Sequence, residues 1–108
     1  MEFNEYQEKA KSTAIYPDQY KMVYPVLGLN GEAGEVAEKM KKILRDNGGE
    51  ITEEKREELK KELGDVLWYL ALTAHDLGLS LNDVALTNVA KPQSRKDRDM
   101  LHGNGDNR

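Results

Sequence analysis

The stretch Leu59-Lys60-Lys61-Glu62-Leu63-Gly64-Asp65-Val66-Leu67-Trp68-Tyr69-Leu70-Ala71-Leu72-Thr73-Ala74-His75-Asp76-Leu77 decides the fold. Its apolar residues Leu59, Leu63, Val66, Leu70, Ala74 and Leu77 recur every three or four positions, which lines them along one face of an α-helix. Upstream, Thr52 followed by Glu53 and Glu54 reads as an N-cap with acids in the first turn, where the helix dipole favours them. Downstream, Gly78 suits a left-handed cap.

Working outward, Leu29, Ala33, Val36, Met40 and Ile43/Leu44 repeat the same spacing in an earlier helix. That helix is expected to start near Pro25 and to stop at the Asn47-Gly48-Gly49 loop. Residues 2–15 read as a first helix, ended by Tyr16-Pro17-Asp18. Ser80 and Asp83 resemble a capping box and open a fourth helix to about Lys91, which Pro92 is expected to close. No stretch alternates as a strand would. The expectation is an all-α, four-helix bundle-type subunit over residues 1–92, followed by a polar, mobile tail over residues 93–108. Trp68 and Leu72 lie off the main stripe of the third helix, so a second apolar face argues for a homo-oligomer, a homodimer or homotetramer. The alternative is that the first or fourth helix covers them within one subunit.

The 108 residues carry 16 basic and 20 acidic side chains, a net charge of −4, which makes sequence-independent nucleic-acid binding a poor fit. With no cysteine, the chain has no disulfide, thiolate zinc site or cysteine nucleophile. No apolar run is long enough to span a bilayer and no secretory leader opens the sequence, so a cytoplasmic protein without membrane contact is expected. His75 and His102 have no partner ligand pattern for zinc, and no Walker A loop, GxGxxG or serine elbow is present.

One pattern occurs twice. Glu32-Ala33-Gly34-Glu35-Val36 and Glu62-Leu63-Gly64-Asp65-Val66 each set an acid, two residues, a second acid and a valine. Measured from Leu29 and Leu59, Glu32 and Glu62 both sit at about −60°, and Glu35 and Asp65 at about −120°. If the two helices pack along their stripes, four carboxylates meet at one edge of the interface. Such a cluster is either solvated and spread or holds a hard cation, Mg²⁺ or Mn²⁺, with oxygen ligands. An isolated acid pair at this spacing is common as plain surface charge, of which Glu38, opposite the stripe, is an example. Glycine at 34 and 64, unfavourable by about 1 kcal/mol each in a helix, suggests a close approach of backbone or ligand there.

These residues resemble a known family. Gly28-Leu29-Asn30-Gly31-Glu32-Ala33-Gly34-Glu35-Val36, then Glu62-Leu63-Gly64-Asp65-Val66-Leu67-Trp68-Tyr69-Leu70, then Asn88-Val89-Ala90-Lys91 and the tail from His102 to Arg108, are similar to the MazG-like nucleotide pyrophosphohydrolases of the all-α NTP pyrophosphatase superfamily. The resemblance implies a Mg²⁺-dependent enzyme, with Mn²⁺ as a substitute, that cleaves NTP or dNTP substrates between the α and β phosphates to NMP and pyrophosphate, as in clearing surplus or non-standard nucleotides. It implies metal ligation by Glu32, Glu35, Glu62 and Asp65 and substrate contacts from Asn88 and Lys91; in the mechanism this suggests, Glu35 is the carboxylate expected to orient or deprotonate the attacking water and Arg95 a further candidate to offset phosphate charge. It also implies that the Gly-rich tail can close over bound phosphates as a lid. Gly31 stands where the family's EExxE motif begins with an acid, so one carboxylate near the site is missing. Two other readings remain open here: a base-selective relative of the dUTPase or dCTPase kind, and a non-catalytic helical interaction module.

Overall fold

The computed structural model describes residues 1–97. Among these residues four α-helices follow one another, α1 (Phe3–Ser12), α2 (Val23–Asn47), α3 (Glu53–Asp76) and α4 (Leu81–Asp97), with a 3₁₀ turn over Asp18–Tyr20. No strand occurs among the described residues.

The helix ends follow local chemistry. The Thr52 hydroxyl accepts the Lys55 N–H at 3.2 Å and starts α3. At its other end Gly78, at φ 75°, turns the chain so that Gly78 N–H donates to His75 O (2.9 Å) and Leu79 N–H to Ala74 O (2.8 Å). This pair of bonds satisfies carbonyls that the last turn leaves without a helical partner. Ser80 Oγ accepts the Asp83 N–H at 3.0 Å and caps α4. Pro25 falls in the first turn of α2, where its missing N–H removes no helical bond.

Two ends differ from expectation. The first helix stops at Ser12 rather than continuing to residue 15. The chain between α1 and α2 is then fastened to the end of α3, because Asp76 Oδ2 accepts both the Tyr16 hydroxyl (2.8 Å) and the Met22 N–H (2.9 Å). That clamp holds Met22 at φ 67°, a conformation unfavourable for a side chain of its size. Nor does Pro92 close α4, which runs through it to Asp97. Pro92 and Asn88, whose carbonyl loses its helical partner, are both exposed, so water can satisfy the freed group.

α2 and α3 form a long antiparallel hairpin, and α1 packs on α3 and α4. Ala10, Ala71, Leu72 and Leu81 make the buried core, with Tyr6, Ala14, Tyr16, Trp68 and Leu70 packed against it. Leu72 is therefore buried beneath α1, and Trp68 is half-buried in the same cluster, so neither is a free second face. Buried Gln7 joins three elements. Its amide donates to Ala71 O and Leu79 O, each at 3.1 Å, and its carbonyl accepts the Leu81 N–H at 3.0 Å.

Candidate active site

The hairpin brings the acid pairs of α2 and α3 together. Carboxylate oxygens of Glu32, Glu62 and Asp65 all come within 4.8 Å of one another, close enough for one cation to touch all three. Glu32 and Glu62 are half-buried between the helices, and Asp65 is exposed. Glu35 stands one turn along α2 from Glu32, exposed, and is outside this convergent group.

The electrostatics match the geometry. Glu32 is raised above the ordinary carboxylate range, first by burial, then by a hydrogen bond shared with Glu62, then by the negative charges of Asp65, Glu62 and Glu35. A group whose ionised form is disfavoured by its own neighbours is one that a bound cation would relieve. The donor set is oxygen only and comes from two rigid helices, which suits a hard divalent ion.

Along the helix pair, one turn toward the start of α2, the Tyr69 ring lies against the backbone of Gly28. A Cβ at that position would overlap the ring. Gly28 is thus the glycine on which close packing depends. At Gly34 and Gly64, suspected from the sequence, an added Cβ would meet nothing within 4 Å among the described residues, so no close approach among those residues explains them. The Tyr69 hydroxyl is raised above the usual tyrosine range by burial first and then by Tyr24, Glu32 and Asp65 nearby. Tyr24 in turn stacks on Tyr16, ring centroids 5.0 Å apart. Nothing in the helical spacing of the acids pointed to Tyr69 or Tyr24.

Asn88 and Lys91 share a shallow cavity of about 360 Å³ on α4 with Leu79, Asp83, Val84 and Thr87, and none of the three convergent acids lines it. Arg95 falls on α4 by its backbone. The lid expected of His102–Arg108 lies outside the described residues.

Carboxylates from two adjacent helices thus converge on one point in a chain that is all-helical over its described residues, an arrangement that could hold a divalent cation. Over residues 25–99 the chain matches the MazG nucleotide pyrophosphohydrolase domain, and it belongs to that family. It is also similar to the Gene 37 protein of Mycobacterium phage L5, 51% identical over 109 residues, covering 95% of this chain and 96% of that protein. No solved structure matches at a significant level. Among the described residues no helix is long and apolar enough to cross a membrane.

Proposed function

We propose that the protein hydrolyses nucleoside triphosphates between the α and β phosphates, releasing a nucleoside monophosphate and pyrophosphate. The observation that carries this reading is the convergence of Glu32, Glu62 and Asp65, with Glu32 held above its ordinary range, in a chain of the MazG family. Glu32, Glu35, Glu62 and Asp65 would hold Mg²⁺, for which Mn²⁺ is a substitute. When bound, such an ion neutralises charge developing on phosphate oxygens and polarises phosphorus toward attack.

The chain's own residues supply the rest. Glu35, outside the three convergent acids, orients a water and takes its proton as the water oxygen bonds to the α-phosphorus. The bond from that phosphorus to the bridging oxygen breaks, and pyrophosphate leaves with the electron pair. Asn88, Lys91 and Arg95 contact sugar and phosphates. A homodimer or homotetramer completes the reading, because the apolar side chains of Leu27, Leu44, Leu86 and Val89 are mostly exposed in the single subunit. A cytoplasmic location suits nucleotide substrates.

The test is product analysis by ion chromatography after incubation with Mg²⁺ and a panel of NTPs and dNTPs. Monophosphate with equimolar pyrophosphate is expected, and the ranking of rates would separate a broad enzyme from a base-selective one. Folded protein that yields no product from any nucleotide would overturn the reading in favour of an interaction module. Glu35→Gln is expected to abolish turnover while its Tm stays within about 2 °C of the wild type, since the side chain is exposed.

A further inference from the structure

Most ion pairs of α2 and α3 among the described residues run along one helix: Glu38 with Lys41 and Lys42, Glu58 with Lys55, Glu53 with Arg56, Glu57 with Lys60. One crosses between the helices. Lys39 Nζ lies 3.8 Å from Glu62 Oε1, and both side chains are sheltered, 31% and 19% exposed. Glu62 thereby serves two partners, the ammonium on one side and the convergent carboxylates on the other.

Helix geometry fixes where that ammonium sits. Lys39 follows Glu32 by seven residues, so it falls within about 20° of the same face and about 10 Å further along α2. Side chains lean toward the helix N-terminus, which aims the Lys39 stem back at the acid cluster. The opposite side of the cluster has another character, with the Tyr69 ring on Gly28 and Tyr24 beyond it. The α2–α3 seam is thus cationic at one side of the carboxylates and aromatic at the other.

A nucleoside triphosphate has the same polarity, a polyanion at one end and a flat apolar base at the other. The four acids outweigh a single divalent ion in charge, so an arriving polyphosphate needs further positive charge at the site. We propose that Lys39 binds the β- and γ-phosphates, and with them the departing pyrophosphate, so that substrate lies along the α2–α3 seam with its nucleoside toward Gly28 and Tyr69. This rests on the hydrolase reading above and adds to it a phosphate contact and a direction. Lys39 exchanges Glu62 for phosphate oxygens on binding, a charge-assisted contact with a more highly charged partner.

The test uses the full chain and calorimetric titration of inorganic pyrophosphate in the presence of Mg²⁺, with Mn²⁺ alone titrated in parallel. Lys39→Met is expected to weaken pyrophosphate binding by about tenfold or more, and Lys39→Arg to restore most of it. Mn²⁺ alone should bind Lys39→Met at least as tightly as the wild type, because a competing ammonium is gone. Tyr24→Ala should leave pyrophosphate binding unchanged and weaken binding of a nucleoside monophosphate. Unchanged pyrophosphate affinity in Lys39→Met overturns the assignment, as does a parallel loss of Mn²⁺, which would reduce Lys39 to a support for Glu62. Loss of monophosphate rather than pyrophosphate binding in that variant overturns the direction. Active wild-type enzyme with either result leaves the hydrolase reading standing, whereas wild type that binds neither Mn²⁺ nor pyrophosphate removes both.

Discussion

Glu32 carries the tension of the site at the scale of one residue. Its folded pKa is raised, so its contribution to stability is fully present below the unfolded-chain value and is lost as pH rises through the folded value. Above that folded value the cation-free protein therefore holds an ionised carboxylate in a place that disfavours it. Glu32→Gln is expected to raise the Tm of chelator-treated protein by about 2–5 °C at pH 7 and to change it little near pH 4, where the carboxyl is itself protonated. The same substitution should remove most of the Tm rise that Mg²⁺ or Mn²⁺ gives the wild type. A lower Tm at pH 7 in the variant, with the cation response intact, would show that Glu32 is a structural acid.

At the scale of the elements, the antiparallel run of α2 beside α3 places the acids, and Gln7 decides how α1 and α4 attach. Three hydrogen bonds from one buried amide tie α1 to the end of α3 and the start of α4. Gln7→Leu keeps the volume and leaves the Leu81 N–H and the Leu79 carbonyl without that partner. The expected loss is about 2–4 kcal/mol in urea unfolding, with the denaturant slope unchanged. The helices themselves were legible. The Thr52 cap, the Gly78 turn and the Ser80 cap all stand where their residue types indicate, because a cap is a contact within four residues. Pro92 was misleading for a related reason: a local rule about a missing N–H does not see that Asn88, whose carbonyl is freed, is an exposed residue that water can reach.

For the whole molecule, what matters is how little of the apolar surface one subunit covers. The core is a small cluster around Leu72, while Leu27, Leu44, Leu86 and Val89 are from 59% to 66% exposed. Light scattering is expected to give two or four times the 12.3 kDa chain mass. Leu27→Asp, at a position already mostly exposed in the lone chain, should shift that mass toward the monomer. A monomer at high micromolar concentration would remove the oligomer and leave those side chains as ordinary exposed residues.

The repeated acid pair, its matched phase and the helices that carry it followed from the sequence alone, since helical periodicity is a property of neighbouring residues. Three of the four acids singled out this way do converge in the fold. Partnership across helices was decided only by the tertiary structure. Nothing near Lys39 in the chain says that its ammonium reaches Glu62, nor does anything near Gly28 say that Tyr69 lies on it. Leu72 looked like a spare face until α1 covered it. A pattern of spacing fixes which residues share a face, whereas the register and crossing of two packed helices fix which faces meet.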